Sequence, residues 1–208
     1  MCGRISTADL SPKALTDHFN LGDSSPFTQS YNIAPTLQIP SIRRQGNKRS
    51  LSTFRWGLIP HWSKDKDIKV LAFNARVETL SQKPFFRDPI KHKRCIIPAS
   101  GFYEWQKQGS AKQPYYIYRA DREPLAFAGL WDVWTDKDSG ETIESCAIVT
   151  IPANRSMEQI HDRMPAILEQ DQYTDWLDTD ITDPSQLIDK LMKPAEDILE
   201  MYSVTSYV

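Results

Sequence analysis

The chain alternates apolar and polar residues in short runs bounded by glycine, proline, asparagine and aspartate, the period-two pattern of half-buried strands. Residues 37–43 and 51–56 make one pair of runs, and the Gly46-Asn47 turn between them predicts a hairpin. Residues 94–99, 102–106, 115–119, 125–131 and 144–151 predict further strands, separated by turns such as Gln108-Gly109 and Ser139-Gly140. Residues 3–6 predict a short extended start, 70–73 a strand that delivers Asn74-Ala75-Arg76, and 198–205 a last strand.

Helical periodicity is briefer. Ser11 is placed as an N-cap with Pro12 at the first helical position, Leu15 and Phe19 share one face, and Asn20-Leu21-Gly22 stops the helix. A loop through Asp23-Ser24-Ser25-Pro26 leads to Tyr31-Asn32-Ile33-Ala34-Pro35. Glycine and proline in 54–62 predict a rigid loop that leaves aromatic surface exposed. Asn154 is expected to cap a short helix ending near His161, with two more helices at 172–177 and 185–192. The expected class is α+β: a β-rich single domain spanning 1–208, whose antiparallel strands form a barrel-like core with short peripheral helices.

Composition narrows this picture. At 208 residues and 40% hydrophobic content, one well-buried domain is expected. No apolar run approaches a membrane span, and the start lacks the basic and apolar regions of a signal peptide, so a cytoplasmic protein without membrane partners is expected. Cys2, Cys95 and Cys146 have no metal-ligand spacing. Cys95 and Cys146 sit in apolar runs as buried strand residues, so neither a metal nor a cofactor is expected. A net charge of −2 argues against coating duplex nucleic acid non-specifically and leaves room for a local basic groove.

The chemistry begins at Met1-Cys2-Gly3-Arg4. Removal of Met1 gives Cys2 an α-amine and a thiol on adjacent carbons, with reference pKa values of about 7.7–8.0 and about 8.5, so both are partly nucleophilic near neutrality. Such a 1,2-aminothiol captures an aldehyde twice, first as an imine and then as a thiazolidine ring. Other polar residues stand in unusual settings. Asn74 ends an apolar run, Glu104 lies between Tyr103 and Trp105, and His161 with Arg163 leaves the expected helix before a proline. Taken singly, Asn74 would cap a turn, Glu104 would face solvent, and His161 would be a surface histidine near a helix end that favours its protonated form. His18 and His92 read as solvated, and His61 stays open.

Seven motifs occur in one order: Met1-Cys2-Gly3-Arg4, Tyr31-Asn32-Ile33-Ala34-Pro35, Arg55-Trp56-Gly57-Leu58-Ile59-Pro60, Asn74-Ala75-Arg76-Val77-Glu78-Thr79, Cys95-Ile96-Ile97-Pro98-Ala99, Gly101-Phe102-Tyr103-Glu104-Trp105 and Ile160-His161-Asp162-Arg163-Met164-Pro165. Together they resemble the SRAP family, the SOS response-associated peptidases or abasic-site processing proteins, from residue 2 to about 205. The resemblance implies a protein that recognises an abasic site in single-stranded DNA and joins it covalently to Cys2. Associated lyase and possible autopeptidase activities follow from the same comparison, in the DNA damage response and near the nucleoid.

By that resemblance the catalytic residues are Cys2, Asn74, Glu104 and His161. Glu104 would move protons, His161 would donate to the sugar oxygen and the departing hydroxyl, and Asn74 would hold Cys2 or the sugar. Arg4, Arg76 and Arg163 would form a cationic collar for phosphates, extended by Lys83 and Arg87. Trp62 and Pro35 would stack on a neighbouring base and block the duplex path, and Asn32 would touch the backbone. Ser63 stands where some family members place a second aromatic, which would weaken stacking. The expected partner is single-stranded DNA carrying an abasic site, bound by a monomer. Two alternatives are an N-terminal-nucleophile cysteine hydrolase of amidotransferase type, since those enzymes also begin Cys-Gly, and a non-catalytic single-strand binding module.

Overall fold

The alternating runs pair into two sheets in the computed structural model, which describes residues 2–68, 70–193 and 198–208. In chain order the elements are β1 (Arg4–Ser6), α1 (Pro12–Phe19), β2 (Leu21–Ser24), β3 (Gln38–Gln45), β4 (Lys48–Trp56), β5 (Asn74–Arg76), α2 (Pro89–His92), β6 (Arg94–Ala99), β7 (Gly101–Gln108), β8 (Ala111–Arg119), β9 (Leu125–Thr135), β10 (Thr142–Pro152), β11 (Arg163–Pro165), α3 (Tyr173–Leu177), α4 (Ser185–Leu191) and β12 (Leu199–Ser203). Short 3-10 turns at Val77–Thr79 and Gln170–Gln172 complete them.

Strands β4, β3, β6, β9 and β10 pair in that order, each antiparallel to the next. The ring closes through β4 and β10, where Arg55 faces Ser145 and Trp56 faces Cys146. This last pair is parallel, as are β2 with β4 and β5 with β10. A second sheet, ordered β1-β7-β8-β12, is antiparallel throughout. Closure leaves the barrel strands few exposed edges and explains why β6 is buried at every position. Trp56, Phe54, Phe102, Phe127 and Trp176 fill the interior, each almost wholly inaccessible. The guanidinium of buried Arg94 accounts for the loops below the barrel, donating to the carbonyls of Ile90, Lys91, Trp176, Asp178 and Ile181.

Several sequence expectations shift. Residues 70–73 are not a strand. The β10 edge is occupied by β4 as far as Cys146, so pairing resumes only at Ile148, opposite Asn74. Asn74 therefore begins a strand instead of ending one. Residues 155–160 form turns and no helix, because Ala153 N–H bonds the Asp162 carbonyl (3.0 Å) and draws the chain back onto β10 as β11. His161 therefore does not stand at a helix end. Phe54, Arg55 and Trp56 belong to β4, and the break comes at Gly57, whose φ of +132° suits only glycine. The Asp23-Ser24 loop contains a short parallel strand, β2. No helix among the described residues is long and apolar enough to cross a membrane.

Candidate functional site

Strand β10 organises the site, because β5 runs along one side of its second half and β11 along the other. Thr150 faces Arg76 across one ladder and Pro165 across the other. The connection 153–162 therefore returns beside the end of β5, and Arg76, His161, Asp162 and Arg163 line one cleft of about 450 Å³. The second sheet contributes from above. The register of β1 on β7 sets Arg4 opposite Tyr103, so Glu104 lies one step toward the chain start. Gln106 Nε2 donates to the Gln159 carbonyl at 2.8 Å, tying β7 to the segment before His161.

Asn74 joins the two layers. Its Nδ2 donates to the Cys2 carbonyl at 2.8 Å, while its buried Oδ1 has no hydrogen-bond partner among the described residues. Cys2 is fully buried, and its Sγ lies 4.0 Å from the Arg4 carbonyl. Burial, and then the negative charge of Glu104, push the Cys2 thiol far above its ordinary range. Burial therefore disfavours the thiolate in the chain that retains Met1. Glu104 is itself 4% exposed, so the solvent-facing reading of that strand position does not hold. Cys95 and Cys146 are buried in the barrel as expected, with Cys146 pushed up to about 12 by burial.

His161 is partly exposed and held by its neighbours. Arg163 N–H lies 3.0 Å from His161 Nδ1. The Asp162 carboxylate, 86% exposed, lies 2.8 Å from the same Nδ1. The Arg163 guanidinium is clamped by the Glu78 carboxylate and donates to the Thr150 carbonyl at 2.6 Å. It is thus a built-in strut as well as a surface cation. Burial raises the Glu78 carboxyl, but the Arg163 hydrogen bond, a backbone hydrogen bond and the charges of Arg163 and Arg76 together outweigh it and hold the group below the usual carboxylate range. Glu78 lies inside a motif that the sequence singled out, yet its partner could not be read from spacing.

Of the expected DNA contacts, Arg76 and Arg163 line this cleft. Arg4 donates to Asn32 Oδ1 at 2.8 Å, which sets both beside β1. Arg76, Lys83 and Arg87 are exposed, and Pro35 sits half-buried in a turn. Trp62 is 52% exposed, so its ring is not packed into the core. It packs edge-on to Phe85 with centroids 5.5 Å apart, and Phe85 lies between Lys83 and Arg87 in sequence. Ser63 lacks an aromatic ring, but Phe85 brings one to Trp62 from a different segment. Sequence order hides that substitution.

The other histidines have structural partners or none of interest. His18 is not solvated: its ring contacts Glu123 (3.0 Å) and Tyr173 Oη (3.2 Å). His61 Nδ1 lies 2.9 Å from Asp132, which is buried and also takes Lys93 Nζ at 2.6 Å. Asp132 occupies a core-facing position of β9, a parity visible in Leu130-Trp131-Asp132-Val133-Trp134. His92 is exposed, as expected.

Comparison with known proteins identifies the family. The family model described as SOS response associated peptidase (SRAP) matches residues 1–208. The abasic site processing protein YoqW of Bacillus subtilis is 41% identical over all of this chain and 94% of its own length. The abasic site processing protein HMCES of Xenopus tropicalis is 37% identical over 85% of this chain, a match spanning 62% of that longer protein. A crystal structure from Bacteroides thetaiotaomicron superposes with a TM-score of 0.86 at 32% identity, covering 99% of this chain and 93% of that one. The chain belongs to the SOS response associated peptidase (SRAP) family.

Proposed function

We propose that the protein processes abasic sites in single-stranded DNA by capturing the open-chain aldehyde on Cys2 after Met1 has been removed. Met1 lies outside the described residues. The observation that carries the reading is the 2.8 Å bond from Asn74 Nδ2 to the Cys2 carbonyl. It fixes a buried cysteine at the start of the chain beside Glu104, an arrangement that a merely structural cysteine does not need. The abasic-site names of the relatives point to the same electrophile.

The chemistry balances without a cofactor. The Cys2 amine attacks the aldehyde carbon, the carbonyl oxygen leaves as water, and a protonated imine remains. The sulfur then adds to the imine carbon and its proton is taken by Glu104, while the C=N electron pair returns to nitrogen. One C–S bond forms, and nothing is oxidised or reduced. The positive imine offsets the charge of Glu104 and so favours the thiolate once the first bond exists. His161 donates to the sugar oxygen or the departing hydroxyl. Loss of a C2′ proton from the uncyclised imine expels the 3′ phosphate instead, so strand cleavage and stable crosslink are two fates of one intermediate. If a leader precedes Cys2, the same Glu104 and His161 would assist its removal. Arg4, Arg76 and Arg163, with Lys83 and Arg87, supply the cationic rim, and Trp62 with Pro35 and Asn32 engages the neighbouring nucleotide.

The test is incubation with a uracil-excised single-stranded oligonucleotide followed by denaturing electrophoresis. A slow-migrating, denaturation-resistant band is expected. Its absence would sink the reading and favour the non-catalytic binding module.

A further inference from the structure

The outer face of the second sheet carries a tyrosine row that begins at the proposed site. Directly paired residues of antiparallel strands project to the same face. The registers pair Arg4 with Tyr103, Tyr103 with Tyr116, and Tyr116 with Tyr202, so an arginine and three tyrosines cross β1, β7, β8 and β12 in one line. Tyr118, two residues along β8, shares that face. Its ring is stacked with that of Tyr116 at 23°, with centroids 5.8 Å apart. Gly101 makes room for the row, since a Cβ there would stand 2.4 Å from the Tyr116 ring.

These rings wall a pocket of about 280 Å³, close to the lower bound of small-molecule sites. Its floor is polar: Ser100 Oγ donates to Ser6 Oγ at 3.0 Å, and Tyr116 Oη reaches Ser100 at 3.4 Å. Arg122 stands at the rim with its guanidinium 3.9 Å from the centroid of Tyr118. Asp9 and Arg122 both line the pocket, and both hold left-handed backbone conformations, φ 67° and 64°, without being glycine. Strain of this kind is kept where the surrounding structure over-determines it, and ligand sites are a common place.

We propose that this pocket takes a nucleobase of the DNA strand that flanks the lesion, with Arg122 on its phosphate. Flat aromatic walls accept a planar ring, hydroxyls on the floor address the edge of a heterocycle rather than a hydrocarbon, and the guanidinium answers an anion. The row also meets the crosslinking site at a defined point. Arg4 belongs to both, and Tyr31, which lines the pocket, precedes Asn32, the hydrogen-bond partner of Arg4. A strand leaving Cys2 past Arg4 thus crosses Tyr31 to reach the pocket. The proposal rests on the abasic-site reading for the presence of DNA but on separate residues for its contacts.

The test is fluorescence anisotropy with a lesion-free, end-labelled (dT)12 on wild type, Tyr202→Ala and Arg122→Gly. Tyr202 is half exposed, and glycine relieves the backbone at position 122, so both variants are expected to melt close to wild type. Each is expected to bind (dT)12 roughly tenfold more weakly. Unchanged affinity in both folded variants would overturn the proposal. So would a pocket that binds free dTMP, read by loss of tyrosine fluorescence, while (dT)12 affinity ignores both substitutions. Crosslinking to an abasic oligonucleotide cut to two nucleotides on either side should survive in the variants, because Cys2 is untouched. Failure of that crosslink in wild type would count against the Cys2 reading and leave the anisotropy result standing.

Discussion

Replacing Asn74 with alanine isolates the link between the two layers of the site. The substitution removes one 2.8 Å hydrogen bond and leaves the carbonyl of fully buried Cys2 without that donor. Losing a buried partner in this way costs about 1–3 kcal/mol, and 1.4 kcal/mol is a factor of ten, so adduct formation is expected to slow roughly tenfold to a hundredfold. The rate is read under single-turnover conditions, with protein in excess over an abasic oligonucleotide and samples quenched onto a denaturing gel. Urea unfolding of the same variant should show a loss of no more than about 3 kcal/mol, which separates slow chemistry from failed folding. Asn74→Asp keeps the shape but sets a second acceptor against the carbonyl, and it is expected to be at least as slow. A folded Asn74→Ala that crosslinks at the wild-type rate would refute the positioning role.

Other expectations follow from the same geometry. Asp132→Asn should cost about 2–3 kcal/mol in urea, less than a fully buried pair because Lys93 keeps some exposure. Burial raises the Asp132 carboxyl, but hydrogen bonds from Lys93 and His61 outweigh it and leave the group below its ordinary value of 3.8. Its stabilisation is therefore complete above about pH 4 and is lost as pH falls through the lowered folded value, so wild type and Asp132→Asn should converge in acid unfolding. Arg94→Met fills the same volume but strips the donors from the loop carbonyls, and a loss of about 3–5 kcal/mol is expected by chemical denaturation. Trp62→Ala should leave the melting temperature nearly unchanged while weakening single-strand binding by about 1–3 kcal/mol in an anisotropy titration.

The strands were legible because period-two alternation survives wherever one face is buried, and β6 at Arg94–Ala99 has the bounds that its apolar run implied. What pattern alone does not carry is which strands meet. Parallel closure of β4 on β10 joins segments far apart in sequence, and it is this closure that displaces the expected strand at 70–73 and makes Asn74 a first strand residue. The expected helix before His161 failed for a related reason, since return pairing onto β10 outcompetes a short helix whose own formation is unfavourable. In the site, the residue types could be read but not their partners. The Glu78–Arg163 clamp, the Phe85 ring beside Trp62 and the Asp132 centre all join segments whose proximity is set by the barrel.

The central claim is that the Cys2 amine and thiol both bond to the abasic sugar, and the most direct measurement is mass spectrometry of the nuclease-trimmed, trypsin-digested adduct. The Cys2-Gly3-Arg4 peptide is expected to lack Met1 and to carry the sugar remnant with the loss of one water, and Cys2→Ala should abolish it. An adduct of equal durability on Cys2→Ala, or one mapped to a lysine, would contradict the account.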